Sequence, residues 1–588
     1  MIILGISGLS NALAFKQQCW PGLDPREYRI AQGYDAAAAL LHDGKLIAAA
    51  AEERFNRRKH TGEFPVLAAS YCLAEAGITI QDVDEIAHGF DYSPYRELYS
   101  MDPLTADLYQ RVFSREALVQ DVANCFPEFP ADSIHAVPHH MAHAASAYFT
   151  SGWEDCLVVV IDAMGELQSA TVYRGCGGKL AKIREISANH SIGILYSLIT
   201  LHLGFDFNAD EYKIMGLAPY GSPERYRPFF QEAVQLRNDG TIRIPMLGLN
   251  RDREQRENYT ATRDYLQRNL IPARAQDEEI TDKHRDIAAA LQECLEGAIL
   301  HICGHFGRET GLRRLALAGG VGLNCTANGK LLQSGLFDEV YFQPVAGDDG
   351  VAQGAALHRA SLAGEIINRR FPVPLFGPAY TNEAIEAALT HYTDQVEVTR
   401  FAGLQETCSD AASLIAQGRV IAWFRGRMEY GPRALGSRSI LADPAHPEMR
   451  DRINAMVKKR EAFRPFAPAV SLEQVHQWFD VEPLTEMPYM ITTVDVRPEH
   501  RSALPAITHV NGSARVQTVS STDNSDFHAL LKAVGAATGR EMVLNTSFNV
   551  KGQPIVNTPE EAVETFLGTG IEVLFLGDFR VTRKGAVQ

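Results

Sequence analysis

No two of the nine cysteines form a C-x-x-C pair; they stand at 19, 72, 125, 156, 176, 294, 303, 325 and 408. An odd count at such wide spacing points to free thiols in a reducing compartment. The opening stretch MIILGISGLSNALAF has neither a basic leader nor a sustained apolar run. Neither a signal peptide nor a membrane partner is therefore expected, and the cytoplasm is the expected location. Positive charge is also in short supply. Lys and Arg number 56 against 72 Asp and Glu, a net charge of −16. A general binder of nucleic acid or acidic membrane is rarely built that way, so no nucleic-acid partner is expected. Low-complexity segments and short solenoid repeats are absent as well.

What is present is an ordinary globular composition, 46% hydrophobic and 22% charged, spread over 588 residues. That length is too great for one core and implies two to four domains. A crude repeat marks the N-terminal part. MIILGIS reads as a buried strand, and YDAAAALLHDGKLIAAAAEERF reads as strand, Asp43-Gly44 turn, strand. The same unit returns as CLVVVIDAMGE followed by SATVYRGCGGKLAKIREIS with its Gly-Gly turn. Two such units suggest a two-lobed α/β domain of the actin/hexokinase type. LRRLALAGGVGLNCTANGKLL then reads strand, Gly319-Gly320 loop, helix. This is either a place where backbone approaches a nucleotide closely or a plain tight turn. GEIINRRFPVPLFGPAY, residues 364 to 380, breaks the pattern with prolines and glycines and is expected to be the linker. A second α/β unit follows, with VIAWF as a strand and helices in TNEAIEAALTHY, SDAASLIAQG and SDFHALLKAVGAATG. Residues 221 to 285 are polar and read as helical or irregular.

Two constellations carry chemistry. In HHMAHAASAYFTS, His139 and His143 share one face of a helix and could hold one metal ion, whereas His140 points elsewhere. Asp162 at the end of a buried strand and Asp348 in the turn VAGDDGVAQGAA could complete a His-His-Asp-Asp set. With open positions, that set suits iron(II), manganese or zinc better than a closed structural zinc. The alternative is a histidine pair merely packed in a core. The second constellation is basic. WFRGRMEYGPRALGSRSILADP brings Arg425, Arg427, Arg433 and Arg438. NAMVKKREAFRPFAP brings Lys458, Lys459, Arg460 and Arg464. Arg515 and the loop LNTSFNVKGQPIV follow. Guanidinium forks match phosphate oxygens. A pocket for polyphosphate or carbamoyl-type anions is therefore one reading; a solvated basic face or a nucleic-acid stripe are the others.

The chain resembles the O-carbamoyltransferase family of antibiotic and nodulation-factor tailoring enzymes. The motifs that carry the resemblance run in order: AEERFNRRKH, HHMAHAASAYFTS, IDAMGE, NADEYKIMGLAPYG, LAGGVGLNC, GDDGVAQGAA, GRMEYGPRALGSRSILADP, KKREAFRPFAP and LNTSFNVKGQPIV. The resemblance implies a two-lobed actin/hexokinase-like (ribonuclease-H-like) N-terminal domain over 1–368, similar to tRNA threonylcarbamoyl transferases. It implies a YrdC-like α/β C-terminal domain over 369–588. By the same resemblance, ATP and carbamoyl phosphate become carbamoyl-adenylate in the C-terminal domain, with Mg2+. The carbamoyl group then passes to a hydroxyl of a small-molecule acceptor in the N-terminal one. The implied metal ligands, for an iron(II)-type ion, are His139, His143, Asp162 and Asp348. The implied anion site is Arg433, Lys458, Arg464, Arg515 and Ser547, with Asn545 and Asn549 nearby. Gly319, Gly320 and Asn324 are expected on the adenosine side, with Glu166, Glu211 and Lys213 in the cleft. A homodimer is compatible with this reading. The rival reading is a tRNA-modifying threonylcarbamoyl transferase, against which the net charge speaks.

One departure stands out. The family has His-Asp after the first strand, where this chain has Tyr34-Asp35. A phenol with a pKa near 10 is a poor base at neutral pH. An insertion, GLSNALAFKQQCWPGLDPREYRIAQG, precedes it. Its Trp20, Pro21 and Tyr28 either shape the acceptor pocket or pack on the surface.

Overall fold

The computed structural model describes residues 1–367, 373–458 and 461–585. Part of the expected linker, residues 368–372, lies outside the described residues, as do Lys459, Arg460 and the side chain of Lys458. By contacts the chain divides into two compact units, one of residues 1–53 and 60–371, the other of 54–59 and 372–588.

The first unit contains the same five-stranded sheet twice. In the first sheet β1 (Ile2–Ile6), β2 (Ala37–His42), β3 (Lys45–Ala51), β4 (Glu85–His88) and β5 (Ile134–Ala136) stand in the order β3-β2-β1-β4-β5. The second comprises β6 (Asp155–Gly165), β7 (Gln168–Cys176), β8 (Lys179–Ser187), β9 (Arg314–Ala318) and β10 (Glu339–Phe342). Their order is β10-β9-β6-β7-β8. Each sheet opens with an antiparallel meander and adds two parallel strands beyond its first strand. This is the two-lobed, ribonuclease-H-like arrangement of the actin/hexokinase class. Both meander turns fall where the sequence places them. Asp43-Gly44 and Gly177-Gly178 all have positive φ, the geometry a two-residue hairpin turn needs. The polar stretch after residue 221 adds helices and a small hairpin, Gln235–Leu236 with Ile242–Arg243, which sequence pattern did not indicate.

Four helices of this unit bear on the site: α1 (His139–Thr150), α2 (Asp282–Thr310), α3 (Cys325–Gln333) and α4 (Asp349–Leu362). Helix α2, at 29 residues, is long and apolar enough to cross a membrane. Yet 72% of its apolar window is buried in the protein, as in a core helix. Helices α1 and α4 approach closely because small residues line their seam. A Cβ on Gly354 would stand 1.8 Å from the carbonyl oxygen of Ala142. Gly354→Val is therefore expected to destabilise the first unit by about 1–3 kcal/mol. A lowered urea midpoint is the outcome to look for.

The second unit is built on an eight-stranded mixed sheet. Its strands are β11 (Val396–Arg400), β12 (Ile421–Phe424), β13 (Arg438–Ala442), β14 (Ala467–Ser471), β15 (Gln517–Val519), β16 (Met542–Ser547), β17 (Val573–Leu576) and β18 (Phe579–Arg583). Their order is β11-β18-β17-β12-β13-β16-β14-β15. One face packs a large apolar core around Phe466, Phe479, Phe548 and Phe566, the other a smaller one around Trp423, Phe527 and Phe575. The segment of residues 54–59 joins this unit. Arg57 donates to the carbonyls of Pro554 and Ile555 at 3.0 and 2.8 Å and pairs with Glu561.

Candidate metal centre and anion site

Helix α1 starts at His139, and its i, i+4 geometry turns both imidazoles to one side. The Nε2 atoms of His139 and His143 lie 3.1 Å apart. His139 Nε2 is 3.4 Å from Asp162 Oδ2 and 3.4 Å from Asp348 Oδ1; His143 Nε2 is 3.7 Å from Asp348 Oδ1. All four ligand atoms lie within 4.8 Å of one another. Ligands about 2.1 Å from a first-row ion stand roughly 3.0 Å apart at a right angle and roughly 3.4 Å apart at a tetrahedral angle. The observed separations match, so the residues fit a divalent ion.

The surroundings aim each donor inward. His139 donates from Nδ1 to the carbonyl of Gly89 at 3.0 Å, which leaves the Nε2 lone pair for the centre. Its ring stacks on Phe90 with centroids 4.2 Å apart. The backbone N–H of Gly320 donates to Asp162 Oδ1 at 3.0 Å, which leaves Oδ2 for the ion. Gly319 makes that turn; at φ 89, a Cβ there would stand 2.3 Å from the Ile161 carbonyl oxygen. Asp348 sits at the N-cap of α4 without spending its carboxylate on a cap bond. Both histidines are fully buried, while Asp348 is about a quarter exposed at 24%, so the centre opens on that side.

The two carboxylates favour positive charge at the cluster. Burial opposes protonation of His139, but Asp348 and Asp162 outweigh it and hold its pKa well above the usual imidazole range. Burial likewise raises Asp162, but His139 and His143 overcome it and hold that carboxyl well below its usual range. His140 has no such role. It bonds Thr171 Oγ1 through Nδ1, and burial lowers its pKa to about 3.

Several residues expected in the cleft are committed to structure. Glu166, at a left-handed φ of 47, accepts the N–H groups of Asp91 and His139 at 2.8 and 2.9 Å. It thus braces the first turn of α1, and burial raises its pKa to about 7. Lys213 pairs with Asp210 at 2.8 Å. Burial raises the carboxyl of Glu211, which takes bonds from Ser197 and the N–H of Asn208. Asn324 caps α3 and exchanges two hydrogen bonds with Gln292. Tyr34 is buried, and its hydroxyl donates to the Tyr28 carbonyl at 3.1 Å. Burial raises its pKa further, so it is no base at neutral pH. The inserted segment is held to the first unit: Phe15 is buried, and Arg29 donates to the carbonyls of Phe207 and Asn208.

In the second unit the basic residues separate into two groups. Arg425 pairs with Asp526 and Asp578, both at 2.7 Å. Arg438 is wholly buried, donates to the carbonyls of Gly426, Ser437 and Pro378, and stacks on Phe424. These two hold the fold and leave the expected array, because their partners were invisible in sequence. Strand register sets the backbone segments that carry Arg433, Arg464, Arg515 and Ser547 at one end of the sheet. Ser547 is level with Ser439 at the start of β13, and Ala467 at the start of β14 pairs with Asn545. Strand β15 runs parallel to β14, which puts Arg515 at that same end. Asn545 donates to the Ala434 carbonyl and to Gln517, and Gln517 donates to the Leu435 carbonyl, so the two amides pin the GPRALG loop to the sheet. Ser547 donates to Asn549 at 2.7 Å.

Sequence reading missed the organiser of that loop. Buried Glu429 accepts the N–H groups of Leu435, Ser437 and Arg438 on one oxygen, at 2.9, 2.8 and 3.1 Å. Its position seven residues before Gly436 offers no pattern by which to recognise it. Glu429→Ala leaves three buried donors unpaired at about 1–3 kcal/mol each. A loss of at least about 3 kcal/mol is the expected outcome of urea unfolding.

Both halves of the chain match one class of enzyme, a transferase. The chain belongs to the carbamoyltransferase family. Residues 30–357 match the carbamoyltransferase N-terminus and residues 412–583 the carbamoyltransferase C-terminus. It is 39% identical to nodulation protein NolNO of Sinorhizobium fredii over 94% of this chain and 79% of that protein. It is 36% identical to the 3'-hydroxymethylcephem-O-carbamoyltransferase of Amycolatopsis lactamdurans over 45% of this chain and 48% of that enzyme. Among solved structures, (R)-2-hydroxyglutaryl-CoA dehydratase component A of Acidaminococcus fermentans matches 62% of this chain and 99% of its own at 13% identity. The TM-score of that match, 0.32, marks a distant likeness.

Proposed function

We propose that the protein is a cytoplasmic, ATP-dependent O-carbamoyltransferase. With Mg2+ it hydrolyses carbamoyl phosphate to carbamate and inorganic phosphate, joins the carbamate to the AMP part of ATP with release of pyrophosphate, and transfers the carbamoyl group of this adenylate to a hydroxyl of a small natural product. The observation that carries the reading is the set of four ligand atoms within 4.8 Å in a chain of this family. The relative named for a 3'-hydroxymethylcephem supports a hydroxylated small molecule as acceptor.

Each unit has a share in the work. Arg433, Arg464 and Arg515, with Lys458 and Ser547, bind carbamoyl phosphate and the ATP phosphates. They offset the charge that develops as the adenylate forms. In the first unit His139, His143, Asp162 and Asp348 hold an iron(II)-type ion, which supplies Lewis acidity toward the carbamoyl carbonyl. Glu166 keeps the two imidazoles in register by fixing the start of α1, and the Gly319-Gly320 turn lets backbone approach the adenylate.

The test is direct. Full-length protein loaded with iron(II) is incubated with ATP, carbamoyl phosphate and Mg2+. Pyrophosphate release and an adenylate that hydroxylamine traps as hydroxyurea are expected. If the protein consumes neither ATP nor carbamoyl phosphate, the reading fails.

A further inference from the structure

Transfer to an alcohol needs a group that takes the hydroxyl proton, and Tyr34 is excluded by its burial and its bond to Tyr28. A pair of side chains close by is arranged for that task. His60 donates from Nδ1 to Asp35 Oδ1 at 2.7 Å, and the backbone N–H of His60 donates to Glu53 at 2.8 Å. The two segments run together, since Ala36 donates to the carbonyl of Thr61 at 2.9 Å. Asp35 and His60 both have φ 55, the left-handed region that non-glycine residues rarely occupy. Such backbone is strained for a residue with a Cβ and is held only by the contacts around it. A carboxylate on Nδ1 fixes the ring and its tautomer, so the lone pair sits on Nε2. Among the described residues no hydrogen-bond partner takes Nε2, and the His60 side chain is 25% exposed.

The topology places this pair at the metal centre's end of the first sheet. Strands β1 and β2 are antiparallel with Ile6 opposite Ala38, so Asp35, just before β2, lies at the carboxyl end of β1. The first turns of α4 cover the same end. A Cβ on Gly5 of β1 would meet the Ala352 carbonyl oxygen at 1.9 Å, and one on Gly89 after β4 would meet Val351 at 1.9 Å. Asp348, the ligand that precedes α4, is thereby brought to the end of the sheet where Asp35 and His60 stand. Asp35 and Glu53 also act on Asp349, whose pKa burial already pushes well above its usual range.

We infer that His60, oriented by Asp35, is the general base for the acceptor hydroxyl in carbamoyl transfer. The inference rests on the proposed O-carbamoyltransferase reading. In the step, the hydroxyl oxygen bonds to the carbamoyl carbon, and its proton goes to His60 Nε2. The bond from that carbon to the phosphate oxygen breaks, and AMP leaves with the electron pair.

The experiment uses the full chain loaded with iron(II), with ATP, carbamoyl phosphate, Mg2+ and glycerol as the probe alcohol. Pyrophosphate reports donor formation, and AMP reports transfer. For His60→Ala the first turnover of pyrophosphate is expected to match wild type. AMP release is expected to be slower by about 10²–10⁴-fold, and free imidazole is expected to restore part of it. Asp35→Asn, which keeps the size of the side chain, is expected to slow AMP release by at least about tenfold without changing metal content. Undiminished AMP release in both variants overturns the inference, as does slowed release in a folded His60→Ala that imidazole does not rescue. A manganese titration showing a second ion in wild type that His60→Ala loses also overturns it, since Asp35, Glu53 and His60 would then be a metal site. Absence of pyrophosphate in wild type is a different result: it removes the proposed reaction itself.

Discussion

Asp348→Ala is expected to lower carbamoyl transfer by about three orders of magnitude while the second unit continues to form carbamoyl-adenylate. Asp348 lies within 3.4 and 3.7 Å of the two imidazole Nε2 atoms, and it is the one partly exposed member of the cluster. On the proposed reading its loss would remove one of two anionic ligands and leave His139, His143 and Asp162 to hold a doubly charged ion. A Lewis acid contributes several kcal/mol to stabilising charge on a carbonyl oxygen, and about 4 kcal/mol corresponds to about 10³ in rate. The measurement is AMP release from supplied carbamoyl-adenylate, with pyrophosphate formation from ATP as the control. Equal losses in both assays would mean a folding defect instead.

The second large effect belongs to the other unit. Arg515→Ala is expected to reduce pyrophosphate release by about 10²–10³-fold, the usual cost of losing one preorganised charge donor in an anion site. Transfer from supplied carbamoyl-adenylate is expected to stay at the wild-type rate. Arg515 ends the short strand Ser513–Arg515, which pairs with Thr493–Asp495, so its position is set by backbone and survives removal of the side chain. Arg425→Ala gives the contrasting result. Its guanidinium is spent on Asp526 and Asp578, so its removal lowers the unfolding midpoint before it touches phosphate binding.

The contrast between those arginines shows what sequence could convey. Arg425, Arg433 and Arg438 look alike in one short motif, and their partners alone tell them apart; those partners lie as far away as Asp526 and Asp578. The hairpins and the repeated sheet were readable because period-two patterning and the Asp43-Gly44 and Gly177-Gly178 turns are local signals. The His139 and His143 pair was readable for the same reason, through helical spacing. Their union with Asp162 and Asp348 was not a local matter. It depends on the seam at Gly354 and the turn at Gly319, so the residues alone offered the four-ligand set as one alternative beside a packed histidine pair, and the family resemblance favoured it. Asn324 reads as a ligand contact in a glycine-rich loop, yet its side chain caps α3 and binds Gln292, 32 residues earlier. The pairing of Asp35 with His60 escaped notice because both lie in irregular backbone at positive φ, where no periodicity announces which side chains meet.

The central claim is that four side chains from three separate segments hold one divalent ion. Metal content of purified, iron-reconstituted protein, measured by inductively coupled plasma mass spectrometry beside circular dichroism, tests it most directly. One ion per chain in wild type, and none in a folded His139→Ala, His143→Ala double variant, is the predicted result. A wild-type protein that binds no ion, or a folded double variant that keeps it, would contradict the account.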